Sequence, residues 1–321
     1  MEKITDHVYL VRIPIPYDFR EVNCYLIEGK NGFTVVDTGD CTEEAMAVWV
    51  KTLGTSIPIE KVVITHAHAD HFGLAGWFQQ NYQASVWMSV KGYEELQRAR
   101  SLFVDQKYRS SLGSFIEQHG MVVQTGQEDR FHRFEAYQFK PDVLFQENQE
   151  LLLGDSIYQT IPTPGHSPDH VAFYQAQDQL LLVGDHILQG INPIVISEKE
   201  GDNPLQGYLS ALKRLREIKV KYTLPGHGQQ IVDLDARIEK LLGHYEKRWA
   251  QTLQGIQEKG STAFEVSQFV YGSNLSHERA SSALIQTITN LVYLESLGHV
   301  KMEKDHHDGL YYFFKKAVNS Y

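Results

Sequence analysis

Residues 65–71 read Thr-His-Ala-His-Ala-Asp-His and place four metal-capable side chains, His66, His68, Asp70 and His71, in one short stretch. The chain holds 15 histidines, so clustering by chance is the bland alternative. The spacing has a physical use, however. In a loop, His66 and His68 can turn toward one cation. Asp70 and His71, near the start of the next helix, can face a second cation beside it. Imidazole and carboxylate suit zinc and other borderline metals. Three later residues complete a set of seven donors: His166 in "TPGHSPDH", Asp185 after "LLLVG" and His227 in "LPGHG". Seven donors suffice for two cations with positions left for water. Two cations about 3.5–4 Å apart can activate a bridging water and stabilise a developing oxyanion.

The elements that must position these donors are short apolar runs. "FTVVD" ends at Asp37, "KVVIT" runs into His66 and "YQTIPTPG" leads to His166. "LLLVG" precedes Asp185, and "YTLPG" precedes His227. Donors just past strand ends converge on one edge of a sheet, where α/β proteins commonly place sites. Further strands are expected at "HVYLVRI", "NCYLIE", "ASVWMS", "ELLLG", "IYQTIP" and "HVAFYQ". Helices are expected from Thr42 to Leu53, over 72–82 and over 204–218. Strands alternating with helices and hairpins imply a layered α/β core.

The ordered set His66-x-His68-x-Asp70-His71, a later histidine, an aspartate after "LLLVG" and a last histidine in "LPGHG" resembles the metallo-β-lactamase superfamily. The likeness spans residues 7 to about 230. "VVDTG" (35–39) and "TPGHSPDH" (163–170) are similar to its glyoxalase II-like branch. The resemblance implies an αββα sandwich, here as a catalytic domain over 1–232. It also implies that His66, His68 and His166 hold one metal. Asp70, His71 and His227 would hold the other, with Asp185 bridging. Asp37 would orient a ligand histidine from behind; the alternative for Asp37 is a turn-forming residue ahead of Thr38-Gly39. His170 and His186 read as packing behind the ligands. His119, His132, His244, His277, His299, His306 and His307 lack ligand spacing and read as surface residues.

The rest of the chain adds two pieces. Residues 90–140 exceed what a connection needs. They read as a helical insertion carrying Tyr93, Phe103, Tyr108, Phe115, Phe131 and Phe134 with Arg98, Arg100, Arg109, Arg130 and Arg133. That is either a substrate-gripping lid or a helical pair that buries its own aromatics. From residue 233 to 321, three helical patterns precede the strand-like pair "HVKMEKD" and "GLYYFFKK". This outline resembles a winged helix appended to one lactamase-like branch, some members of which cut single-stranded RNA.

Composition weighs against nucleic acid. Net charge is −10, and from Gln229 to Tyr321 there are ten Lys and Arg against eleven Asp and Glu. The candidate recognition helix at 278–297 has Arg279 as its only Arg or Lys, whereas a nucleic-acid reader presents basic and amide groups. The module therefore reads as a docking or homodimer element, or as a wall of the cleft. Cys24 and Cys41 form no CxxC pair, and two are too few for a disulfide framework. Cys24 reads as a buried thiol, and neither cysteine has a Cys-His nucleophile arrangement. No secretory h-region and no membrane-length apolar run is seen, so the default location is cytoplasmic.

The leading expectation is a metal-dependent hydrolase with two zinc ions, manganese or iron being compatible with the same ligands. A metal-bound hydroxide oriented by Asp70 would attack an ester, thioester or lactone carbonyl of a small molecule. A phosphodiesterase or single-stranded ribonuclease on the same site is the alternative. An iron-dependent sulfur dioxygenase is third.

Overall fold

The computed structural model describes residues 1–17, 19–54, 57–104, 107–122 and 134–316, and leaves aside the side chains of 102–112. The described residues fall into two compact units. One lies within Met1–Val104, Arg130–Pro193 and Ala211–Arg237, the other within Asp105–Asp129, Ile194–Ser210 and Ile238–Tyr321.

The first unit is built on two sheets. Seven strands form one in chain order: β1 Glu2–Lys3, β2 Val8–Pro14, β3 Glu21–Gly29, β4 Gly32–Val36, β5 Ile59–Val63, β6 Ser85–Ser89 and β7 Val143–Phe145. The first four are an antiparallel meander, and β4 to β7 pair in parallel. The second sheet pairs β8 Glu150–Leu153, β9 Ser156–Pro162, β10 Val171–Gln175, β11 Leu180–Gly184 and β12 Tyr222–Pro225, antiparallel except at β11–β12.

Side-chain alternation assigns the faces. On β3, Val22, Cys24 and Leu26 share one core with Ala45, Trp49 and Leu53 of helix α1 Glu43–Leu53. Tyr25 and Ile27 face the other way, into a core with Leu151, Leu153, Phe173, Leu182 and Leu224 of the second sheet. Each such large apolar side chain contributes roughly 1.5–3 kcal/mol by leaving water. Thr42 caps α1 by accepting from Ala45 N at 3.0 Å, and the buried Trp49 donates from Nε1 to Thr38 O at 2.7 Å. With the buried end of a helix at Ala211, Leu212 and Leu215, whose Arg214 donates to Pro162 O at 2.8 Å, the layers follow the order helix, sheet, sheet, helix. This is the expected α/β sandwich.

The helix expected over 72–82 is in fact two: α2 Ala69–Phe72 and α3 Ala75–Tyr82. Thr38 is the wedge. Its hydroxyl donates to His71 O at 2.9 Å and accepts from Leu74 N at 3.1 Å. Gly73 allows the split, because a Cβ there would lie 2.6 Å from Cys41 N. Periodicity could not show this, since the interrupting hydroxyl lies 36 residues away from Leu74.

Helix α4 Val90–Val104 belongs to the first unit, and α5 Lys107–Gln118 to the second. In the described part of 90–140, Arg98 donates to Glu95 at 2.7 Å and Arg100 to Tyr137 O at 2.6 Å. Both guanidinium groups thus engage their own segment. The side chains of Phe103, Tyr108, Arg109, Arg130, Phe131, His132 and Arg133 fall outside the described residues.

After α6 Pro204–Leu215 and α7 Leu234–Gly255 come β13 Ser261–Thr262, α8 Ala263–Tyr271, α9 His277–Ser296, β14 Val300–Lys304 and β15 Tyr311–Lys315. The last three strands form an antiparallel sheet in the order β13-β15-β14. Thr262 and Glu265 make a reciprocal capping box at the start of α8. The second unit's core joins Phe115, Ile116, Leu284, Ile288, Leu291 and Phe313. His119 is a correction: it is 2% exposed, not a surface residue. Its ring stacks on Tyr311 at 5.2 Å, and Nδ1 meets Phe115 O at 2.7 Å. The imidazole packs as a flat aromatic, with its polar edge satisfied by the helix end. No helix among the described residues is long and apolar enough to cross a membrane.

Candidate metal centre

All seven predicted donors meet at one edge of the sandwich. Asp37 follows β4, His66 follows β5, His166 follows β9, Asp185 follows β11 and His227 follows β12, while Asp70 and His71 ride on α2. Within 4.8 Å of one another lie the ligand atoms of His66, His68 and His166, those of His66, His71 and Asp185, and those of Asp70, His71 and His227. His68 Nδ1 is 3.0 Å from both His66 Nε2 and His166 Nε2. Asp185 Oδ2 lies 3.4 Å from His71 Nε2, 3.5 Å from His166 Nε2 and 3.3 Å from His227 Nε2. Asp70 Oδ2 is 3.2 Å from His227 Nε2. One carboxylate oxygen thus touches histidines of both halves.

Hydrogen bonds behind the rings set the tautomers. Asp37 accepts from Thr65 N at 2.9 Å, from Thr65 Oγ1 at 2.7 Å and from His71 Nδ1 at 2.8 Å. The Thr65 hydroxyl has one proton and gives it to the carboxylate, which only accepts. Its 2.9 Å contact with His66 Nδ1 must therefore be donated by the imidazole. His227 Nδ1 donates to Glu21 O at 2.7 Å. In the neutral rings, His66, His71 and His227 each direct an Nε2 lone pair inward, that of His66 toward His68 Nδ1 and those of His71 and His227 toward carboxylate oxygens. His71 Nε2 and Asp185 Oδ1 are buried without a well-formed hydrogen bond among the described residues. These two unsatisfied buried atoms at the centre of the cluster fit a metal ion, and the His and Asp donor set fits zinc, manganese or iron.

The electrostatics divide the cluster. Burial, and then neighbouring histidines, hold His66 well below its ordinary value; burial and His166 hold His68 at about 3. His71 is raised although burial opposes it, because Asp185, Asp37 and Asp70 surround it. His227 is pushed up to about 9 against burial by Asp185 and Asp70. Asp70 is lowered to about 2, burial being outweighed by His71 and His227. His66 and His68 are thus held as neutral imidazoles; around His71 and His227, carboxylates call for positive charge that protons or a cation can supply.

Asp37 is 2% exposed and sits at φ 59°, a left-handed conformation for a residue other than glycine. That strain persists because three donors hold the side chain. His170 accepts from Asp185 N at 3.0 Å through Nε2, and its Nδ1 lies 2.7 Å from Thr163 Oγ1. Both ring nitrogens are thus engaged, and His170 positions Asp185. His186 is fully buried, its ring 6.1 Å from that of His170, and it belongs to none of the three donor groups.

Sequence reasoning missed four contributors. They are the Thr65 hydroxyl, the Glu21 carbonyl, Phe19 stacked on His227 at 4.5 Å, and Asp169. Thr65 and Asp169 stand inside the quoted motifs, so their types were visible and their partners were not. Gly226 is a fifth. A Cβ there would lie 2.2 Å from Asp185 Oδ1 and 2.9 Å from His71 Cε1. Gly226→Ala is therefore expected to displace Asp185 and cost about 1–3 kcal/mol as overpacking. Thermal unfolding of the metal-free protein and chelator competition check this; wild-type values in both would defeat it.

The family model described as "Metallo-beta-lactamase superfamily" matches residues 17–227. The chain belongs to that superfamily. A "Probable metallo-hydrolase" of Bacillus subtilis (strain 168) is 29% identical over 279 residues, spanning 83% of this chain and 86% of the relative. An "Atrochrysone carboxyl ACP thioesterase" of Aspergillus fumigatus is 23% identical over 283 residues, 84% of this chain but 55% of the relative. Among solved structures, a metallo-beta-lactamase family protein of Thermus thermophilus superposes with a TM-score of 0.79 at 25% identity. It covers 98% of this chain and 100% of its own. The relatives and the His/Asp cluster together make this chain a metallo-hydrolase superfamily member with a candidate divalent-metal site.

Proposed function

We propose that this protein is a two-cation hydrolase that opens an acyl bond of a small molecule, with a thioester as the leading substrate class and an ester or lactone as variants. The observation that carries the reading is Asp185 Oδ2, within 3.5 Å of histidines from both donor groups. The thioesterase relative supports the bond type. His66, His68 and His166 would hold one cation, Asp70, His71 and His227 the other, and Asp185 would lie between. Zinc is the first choice for these donors, with manganese or iron admitted. Bound there, the cations would supply Lewis acidity that activates water and polarises a carbonyl.

The chain's own residues do the rest. Asp70 is the carboxylate at the open side of the cluster, its side chain 19% exposed while that of Asp185 is 7% exposed. It orients the attacking water through a carboxylate oxygen, and its low pKa keeps it charged and able to accept that hydrogen bond. Asp37, Thr65 and the Glu21 carbonyl keep the histidine protons on the outward nitrogens. Phe19, stacked on His227, shields that ring from water. The catalytic domain in this reading is 1–232. Residues 233–321, with helices α8 and α9 ahead of a two-stranded hairpin, form a winged-helix-like module for docking.

The test is metal quantification joined to a substrate panel of an acyl-glutathione, a second acyl thioester, a lactone and a short labelled RNA. Two equivalents of metal with thioester hydrolysis are expected. Fewer than two equivalents, or RNA cleavage without acyl hydrolysis, would overturn the reading. Oxygen uptake by iron-loaded protein with no hydrolysis would do the same. Cations that bind only the folded chain also stabilise it, by about 2.7 kcal/mol per site at a hundred times Kd. The unfolding temperature should therefore rise on metal addition and fall back with chelator.

A further inference from the structure

The all-histidine half of the cluster has a brace that none of its ligands provides. Asp169 is fully buried, and its two oxygens serve two different loops. Oδ2 accepts from Ala67 N at 2.8 Å, the amide between His66 and His68. Oδ1 accepts from Ser167 Oγ, next to His166. The three histidines of that half therefore hang on two turns that a single carboxylate ties together, although Ala67 and Asp169 are 102 residues apart in sequence. Gly92 leaves the room for it, since a Cβ there would come 3.2 Å from Asp169 Oδ2.

Charge points the same way. The other half contains Asp70 and has Asp37 behind His71. The group His66, His68 and His166 contains no carboxylate of its own and shares only Asp185. A buried carboxylate is costly to keep unless something nearby compensates it. Two hydrogen-bond donors do part of this, and a cation held by the adjoining histidines would do the rest.

We propose that Asp169 is the positioning residue of the all-histidine half, holding both of its turns and supplying its charge, so that losing Asp169 weakens one cation and spares the other. This rests on the two-cation reading above. It is a role for a side chain that touches neither substrate nor metal.

The experiment titrates metal-free protein with Zn²⁺ against a competing chelator, counts equivalents and follows the unfolding temperature before and after loading. Wild type, Asp169→Ala and Asp169→Asn are compared. In Asp169→Ala one equivalent should keep its wild-type affinity and the other should weaken by roughly 10–100-fold, as outer partners of metal ligands do. Asp169→Asn can still accept from Ala67 N and can donate to Ser167 Oγ, but carries no charge. It should weaken the same single equivalent by less than tenfold. Equal weakening of both equivalents, or wild-type affinity for both, overturns the proposal. If Asp169→Ala does not fold, Asp169→Asn decides by the same criterion. Wild type binding fewer than two equivalents would instead sink the two-cation reading itself, so the two failures are told apart.

Discussion

Asp70→Asn is expected to lower kcat/KM on an acyl thioester by roughly a hundredfold or more, since misplacing the attacking group alone can cost on the order of 100-fold. The reason is local. Asp70 is the more exposed of the two carboxylates in the cluster, and its oxygen lies 3.2 Å from His227 Nε2. The amide keeps the shape but loses the charged acceptor that fixes the water's orientation. It also removes a negative charge beside His227, so the affinity for the second cation should drop. The fold should survive, since Asp70 lies on the four-residue α2 at the open side of the cluster. Circular dichroism and the unfolding temperature of the metal-free variant, measured beside turnover, check this. Near wild-type turnover in a correctly loaded variant would remove Asp70 from the proposed chemistry.

The second large effect belongs to Asp37→Asn. Asparagine tolerates the left-handed backbone at this position, so the substitution tests the hydrogen bonds and not the turn. The amide oxygen can keep the bond from Thr65 N. The amide nitrogen then faces the Thr65 hydroxyl and His71 Nδ1, both of which donate in the wild type. Relief requires His71 to move its proton to Nε2. It also requires the Thr65 hydroxyl to turn toward His66 Nδ1, which pushes that proton to Nε2 as well. Both inward lone pairs are lost, one in each half. Affinity for both cations should fall by roughly 10–100-fold each, with turnover falling in step. Chelator competition measures it directly, and affinities within about twofold of wild type would show that the tautomers are set elsewhere. The contrast with Asp169, where one equivalent is affected, makes the two buried carboxylates distinguishable in a single assay.

Much of the centre could be read from residue order. His66, His68, Asp70, His71, His166, Asp185 and His227 each sit just beyond a strand or on the short helix after one. The apolar runs before them are long enough to identify those strands. The period-two alternation of side chains on β3, which sends neighbours into two different cores, and the capped, amphipathic α1 follow from the same local rules. Elements without a local signal were missed. β7 is three residues long, and β13 two, and both exist only as partners of strands already in place. His119 has a surface residue's reputation, yet its environment is made by Phe115 together with Tyr311 and Phe313, which lie far along the chain from it.

By itself, then, the sequence determined which side chains can bind metal, in what order they occur and which strands carry them, because spacing and hydrophobic alternation are local properties of the chain. Only the tertiary structure decided which nitrogen of each histidine faces inward, that Asp185 reaches both halves, and that Asp37 and Asp169 stand behind them. Those outcomes depend on hydrogen bonds between residues 28 to 206 positions apart. The directions of such bonds arise only once the two sheets have packed and brought their strand ends to one edge.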